Sequence, residues 1–459
     1  MHIETGSHVA ENGGVVRARP CSPIGRGARW LGLMPILDPA RVRFWAGRAF
    51  WAFADQGLFA GANFVVGVLL ARWLEPIAYG AFSTAYAVFL LVGTLHSALW
   101  TEPMVVYGSG RFSDAFDKYC GVLLRYHWRF GAGIALAFLV AGATFRVLGE
   151  EGLGRSLGAF CFAAPCILYL WLVRRSAYVI LEPRLAALGG GLYLALFVGA
   201  ALALWRTGVL AEWNAIFSMG ASALAAGALV GRTVQKRAGI GLPADAEEVR
   251  ALHWRYGRWA AVAGVLSWVP GNFYSIALPA LHGLESAALY KALAVLLMPV
   301  VHFNTSSAQL FLPLLARAVQ SRSRRRAVAI FFCQTSLQLA VALVVGITVV
   351  WLNQDITTWL YKEKFAAELP VYYLLAVNLA ALALMTALTT FLRALELPRI
   401  VFQGSVVSAV ATCGVGLYLA YGFGVDGAFV SSLVANVGAI SWLALSLARE
   451  VKAFRWQVN

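Results

Sequence analysis

Long apolar runs alternate with short polar gaps from about residue 51 to residue 447. Twelve runs stand out, at roughly 51–71, 78–100, 130–148, 157–174, 185–205, 213–231, 258–279, 285–311, 328–352, 367–392, 400–421 and 425–447. Each approaches or exceeds the roughly 20 apolar residues with which a helix crosses a bilayer core of about 30 Å. The pattern predicts an all-α membrane protein of twelve transmembrane helices. No folded extramembrane domain is expected, because the longest gaps, about 101–129 and 232–257, hold little more than amphipathic helices.

Charge gives the pattern a direction. Of 37 Lys and Arg residues, 30 fall in every second gap and six in the gaps between, leaving Lys291 inside a run. By the positive-inside rule the basic gaps and both termini are cytoplasmic. The net charge of +15 is therefore mainly a topological signal and needs no nucleic-acid partner. Composition agrees: 60% hydrophobic residues, 13% charged and a mean hydropathy of +0.71 exceed what a soluble chain of this length shows. Six cysteines lack zinc-like or C-x-x-C spacing and read as small packing residues. A G-x-x-x-x-G-K-[ST] loop is missing, so the chain does not itself hydrolyse a nucleotide as a P-loop ATPase does.

The two halves repeat. Asn63-Phe64 recurs as Asn272-Phe273, Glu75 as Glu285, Pro103 as Pro313, Pro183-Arg184 as Pro398-Arg399 and Gly208-Val209 as Gly424-Val425, at offsets drifting from 209 to 216. Each half holds six runs, an even number, so both enter from the same side and the repeat is parallel. The expected architecture is two parallel six-helix lobes around a central cavity. Its parts are a disordered cytoplasmic tail at 1–44, lobes at 45–231 and 258–448, a cytoplasmic linker at 232–257 and a short tail at 449–459.

The run ADQGLFAGANFVVGVLLARWLEPIAYGAFSTAYAVFLL, followed by TEPMVVYG, resembles the opening of bacterial polysaccharide flippases of the multidrug/oligosaccharidyl-lipid/polysaccharide superfamily. RRSAYVILEPRLA, LYKEKFAAELPVYYLLA, LRALELPR and GFGVDGAF extend the resemblance over about residues 45–450. It implies a bacterial inner-membrane transporter rather than an enzyme. Its cargo would be a polyprenyl-diphosphate-linked oligosaccharide, moved from the cytoplasmic to the periplasmic leaflet by alternating access for surface polysaccharide synthesis. The implied partners are that lipid, the surrounding membrane lipids and the polysaccharide polymerase and chain-length machinery. No resident cofactor is implied; H⁺ or Na⁺ is the candidate coupling ion. Two other readings stand beside it: an ion-coupled drug or metabolite antiporter of the same superfamily, and a membrane glycan polymerase. A polymerase would expose a substantial periplasmic loop, and the longest periplasmic gap is about 353–366.

Ionisable groups within membrane helices usually face a cavity or a partner. Lys291 lies about six residues into the eighth run, where its ammonium could attract a diphosphate or snorkel to headgroups. Asp55, with Gln56 and Asn63, is the candidate for ion coupling, and it is also near enough to Arg48 for an interfacial pair. Arg174 and Arg175 could receive a diphosphate at the cytoplasmic face or merely anchor their helix. Pro103 favours extended backbone at Glu102, so this pair reads as a helix stop or a gate. His302, Asn304 and Gln338 are candidates for hydrogen bonds to sugar hydroxyls, or for ordinary contacts between helices.

Overall fold

The computed structural model describes residues 39–237, 245–365 and 367–453. The expected tail up to residue 38, part of the linker and the last six residues lie outside them. The chain divides into two units, Met1–Ala49 and Phe50–Asn459. The first is described only from Pro39, where it is helical. The second carries the membrane crossings and the space between them.

Fifteen α-helices account for nearly all described residues. The first lobe holds α1 (Pro39–Trp73), α2 (Pro76–His96), α3 (Glu102–Gly108), α4 (Phe116–Val147), α5 (Glu151–Val179), α6 (Pro183–Arg206) and α7 (Glu212–Arg237). The second holds α8 (Ala246–Asn272), α9 (Tyr274–His282), α10 (Leu284–Val295), α11 (Met298–Gln320), α12 (Arg324–Tyr361), α13 (Leu369–Ala394), α14 (Pro398–Cys413) and α15 (Val415–Ala453). Proline sits in the first turn of α2, α6, α13 and α14, where its missing N–H costs nothing and its fixed φ suits the helix.

Among the described residues, ten crossings are defined by length and composition, and two further paths bring the layout to the expected twelve. Eight helical stretches are each long and apolar enough to span a bilayer, and two further crossings are bent pairs, α8 with α9 at 49° and α10 with α11 at 47°. The remaining two are α1 and the path of α14 into the first turns of α15. That path ends at Gly424, whose φ of 56° and ψ of −128° turn the chain back. A similar break at Asn353 (φ 24°, ψ −103°) separates the long crossing in α12 from a short terminal helix, 354–361.

Contacts between gaps support this path independently. Arg111 pairs with Glu248, and the Tyr126 hydroxyl donates to Ala246 O at 3.0 Å; both join two basic gaps. At the other end the Trp73 and Trp205 rings stack 5.3 Å apart, Arg72 donates to Trp359 O at 2.9 Å and His282 lies 2.8 Å from Ala420 O. These join only gaps poor in Lys and Arg. The structure therefore has a basic end and an opposite end, as an alternating path requires.

The internal repeat extends to the backbone. Leu181 and Glu396, offset by 215, both take left-handed φ (58° and 60°) two residues before the matched prolines. Gly208 and Gly424 are both left-handed as well. Within the first lobe, small residues let helices approach closely. A Cβ on Gly142 of α4 would stand 2.7 Å from the backbone N of Gly158 and 2.8 Å from Gly154 O on α5. Contact of this kind is how helices associate where lipid supplies no hydrophobic drive.

One local expectation is corrected. Glu102 is helical (φ −68°, ψ −53°), not extended, and the second crossing does not stop there. It continues through a π-helical turn, Ser97–Thr101, into α3 and ends at Gly108. The wider turn accommodates Pro103, since Glu102 N–H bonds to Ser97 O, five residues back.

Candidate functional site

Between the lobes lies a cavity of about 670 Å³. Its walls include both breaks: Pro270, Gly271 and Asn272 at the end of α8, and Val295, Leu297 and Met298 between α10 and α11. Irregular backbone at membrane depth is tolerated where it lines such a space, and transporters place binding sites at interrupted helices. The first lobe contributes Val66 from α1, Tyr79, Phe82 and Tyr86 from α2, Trp171 from α5 and Tyr193 from α6, among others.

Lys291, on α10, is the only Lys, Arg, Asp or Glu among the described residues of this lining. No hydrogen bond or ion pair joins it to the described residues. An unpaired ammonium in hydrocarbon costs about 2.5–3.5 kcal/mol on insertion scales, so a place on the cavity wall accounts for its presence inside a crossing.

A second pocket of about 180 Å³ lies towards the basic end. Asp55 and Gln56 of α1, Ser97 and Thr101 of the π-helical turn, and Trp171, Arg174, Arg175 and Tyr178 of α5 line it. Trp171 belongs to both linings, so the two spaces adjoin. Asp55 is 2% exposed and fully engaged: Arg174 Nη2 lies 2.5 Å from Oδ1, and the Tyr178 hydroxyl donates to Oδ2 at 2.7 Å. Arg175 is exposed.

The structure thus brings Asp55, Gln56, Arg174 and Arg175 together, and sets Lys291 and His302 on the larger cavity. The Asn63 side chain lies outside the described residues. Asn304 and Gln338 are placed elsewhere, between α11 and α12 inside the second lobe. There Gln338 Nε2 donates to Asn304 O at 3.2 Å and to Ser307 Oγ at 2.6 Å. Neither residue is in the cavity lining.

Sequence reasoning missed how Pro103 is accommodated. In an α-helix the N–H at position 103 would bond to Leu99 O, and proline has none. His253 of α8 supplies the donor from the other lobe: its Nδ1 lies 2.8 Å from Leu99 O, while Nε2 lies 2.7 Å from the Tyr119 hydroxyl. Because a carbonyl only accepts, the proton is on Nδ1, and Nε2 accepts from tyrosine. Four residues along, Gly257 meets the same turn; a Cβ there would stand 2.8 Å from Ala98 O. The one available signal was a proline inside a helical run with no partner for the carbonyl four residues before it.

At the opposite end, residues 354–365 clasp both lobes. Arg72 donates to Trp359 O and Lys364 to Leu74 O, each at 2.9 Å. Tyr361 donates to Ala292 O, beside Lys291, at 2.9 Å. Gly80 of α2 sits directly against the backbone of Leu284 on α10. The cavity is closed on this side.

No family model matches the sequence, and no curated protein matches it. Solved structures do match. The chain is similar to a multidrug resistance MATE family transporter of the MOP superfamily in its inward-facing conformation, with a TM-score of 0.70 and 14% identity over 87% of this chain and 96% of that one. It is also similar to the lipid II flippase MurJ in an inward closed conformation, at a TM-score of 0.65 and 12% identity over 87% of both chains. The eukaryotic MATE transporter AtDTX14 gives 0.65 and 16% identity over 89% and 96%. The fold is that of MOP superfamily transporters.

Proposed function

We propose that this protein moves a polyprenyl-diphosphate-linked oligosaccharide across a bacterial inner membrane by alternating access. The observation that carries the reading is the charge of the cavity: one unpaired lysine and no carboxylate in its described lining. Two unit charges about 6 Å apart at an effective dielectric near 20 interact by about 3 kcal/mol. That energy favours a diphosphate beside Lys291 and penalises a cationic drug. The basic gaps set the basic end, and both termini, in the cytoplasm. Cargo would enter there past Arg175 and the Asp55–Arg174 pair. An anion that drew Arg174 away would free Asp55 to take H⁺ or Na⁺, which is how coupling would reach the cargo. Polymerase and chain-length proteins would act on the product at the opposite face.

A drug or metabolite antiporter is the second reading, supported by the likeness to multidrug transporters and by the carboxylate of Asp55 in the adjoining pocket. Reconstituted liposomes separate the two. Wild-type protein should translocate a polyprenyl-diphosphate-linked saccharide, Lys291→Met should slow it at least about tenfold, the scale of a 1.4 kcal/mol loss, and Lys291→Arg should retain much of it. Export of a cationic dye against a proton gradient, with no movement of the lipid, would establish the antiporter instead.

A further inference from the structure

The two lobes furnish the cavity with different chemistry. From the first lobe come only apolar and aromatic side chains, and the hydroxyl of Tyr79 already donates to Gly67 O. From the second come Ser267, Ser275, His302, Thr389, Ser405, Ser408, Ser432 and three asparagines, besides Lys291. Aside from that hydroxyl, those of Tyr86 and Tyr193 and the Trp171 indole N–H, the polar side-chain groups of the lining come from the wall formed by the second lobe.

Thr389, Ser405, Ser432, Asn272 and Asn378 donate to main-chain oxygens, whereas Ser408, His302 and Asn436 each carry a side-chain atom left without a partner. Ser408 of α14 is 4% exposed, and its Oγ has no partner among the described residues. His302 Nε2 of α11 is likewise buried without one. The third is the side-chain oxygen of Asn436 on α15, and its orientation follows from its neighbour. Asn378 Nδ2 donates to Leu374 O at 2.9 Å and to Phe429 O at 3.2 Å, so its Oδ1 is left to accept. Asn436 meets that oxygen with Nδ2 at 3.2 Å and turns its own Oδ1 away. Ser408 and Asn436 belong to neighbouring helices: Gly404 packs closely against Leu443, and Gly438 is in contact with Val407, across the α14–α15 interface.

We propose that this wall of the cavity is a subsite for carbohydrate hydroxyl groups, formed by Ser408, His302 and Asn436 and separate from the anion site at Lys291. The inference rests on the reading that the cargo is a lipid-linked saccharide. Buried polar atoms are nearly always paired, and two of these, Ser408 Oγ and His302 Nε2, are buried without a partner on the lining that also carries the free oxygen of Asn436. A phosphate oxygen does not satisfy them, because Asn436 Oδ1 needs a donor and a phosphate diester offers only acceptors. A sugar hydroxyl donates and accepts, which suits a serine, an amide oxygen and an imidazole nitrogen together. Ser408, His302 and Asn436 place no carboxylate or ammonium in the subsite, so an uncharged saccharide fits it.

The test uses full-length protein in nanodiscs and two synthetic lipids of one prenol length: the polyprenyl diphosphate bearing a disaccharide, and the same diphosphate without it. Dissociation constants are measured for both. Wild type should prefer the sugar-bearing lipid. Ser408→Ala with His302→Phe should cut that preference about tenfold, the scale of one or two lost hydrogen bonds, without weakening the bare lipid. Ser408→Thr keeps the hydroxyl and should keep the preference. Lys291→Met should weaken both lipids alike. If the double variant retains the preference, or loses both lipids equally, the subsite is overturned while the anion reading stands. If wild type binds neither lipid, both are overturned.

Discussion

Asp55 and Arg174 bury opposite charges 2.5 Å apart, with side chains 2% and 10% exposed. Removing one member of such a pair leaves an uncompensated buried charge and costs about 3–5 kcal/mol, whereas replacing both by apolar residues is often neutral. Arg174→Met should therefore lower the thermal unfolding temperature in detergent markedly, and Asp55→Leu combined with Arg174→Met should recover most of the loss. The carboxylate itself was legible in the sequence, because a charge in an apolar run is conspicuous. Its partner was not. Arg48 is seven residues away along the chain and Arg174 is 119 away, and only the packing of α1 on α5 brings the distant one to it. Lys291 was legible for a different reason: an isolated cation with no local partner shows up by itself. Ser408 and Asn436 were invisible, since a lone serine or asparagine in an apolar run has no distinguishing neighbours until the helices are assembled.

At the level of elements, the runs foretold every crossing but not where two of them break. The α8–α9 break follows Pro270-Gly271, and the α10–α11 break precedes Pro299. Both signals are present in the sequence, yet proline within a membrane helix gives a kink as readily as a break. Glu102-Pro103 illustrates the reverse case, a proline read as a stop that a π-helical turn absorbs. The bond from His253 to Leu99 O is testable by a double-mutant cycle. His253→Leu should orphan that carbonyl and destabilise by about 1–3 kcal/mol. Pro103→Ala restores an N–H four residues on, so the double variant should unfold at a higher temperature than the sum of the single effects requires. Additivity of the two would show that the histidine acts elsewhere.

For the whole molecule, the repeat was readable as paired dipeptides, and the structure shows why the pairs persisted in matching places. Leu181 and Glu396, which look unrelated, share a left-handed conformation needed to turn into α6 and α14. The asymmetry of the lobes was not readable, because it depends on which face of each helix meets the cavity. The closed opposite end yields a prediction at this scale. Lys364→Glu would set like charges beside Glu75, now 3.2 Å from the Lys364 ammonium, and remove the bond to Leu74 O. Such exposed pairs contribute only about 0–1 kcal/mol, so the end should loosen rather than come apart. A cysteine at Lys291 should then react severalfold faster with a membrane-impermeant maleimide added on that face. An unchanged rate would place the seal elsewhere.

Apart from the exposed Lys364–Glu75 pair, the hydrogen bonds from the side chains of Arg72, Tyr361 and Lys364 that hold that end terminate on main-chain oxygens: Trp359, Ala292 and Leu74. Substitution at an accepting position leaves its carbonyl in place. The accepting half of the seal is thus free to drift in sequence, and its inheritance depends on those three donors. Lineages carrying very different cargo walls could share one closure, and a new specificity could arise without redesigning the door.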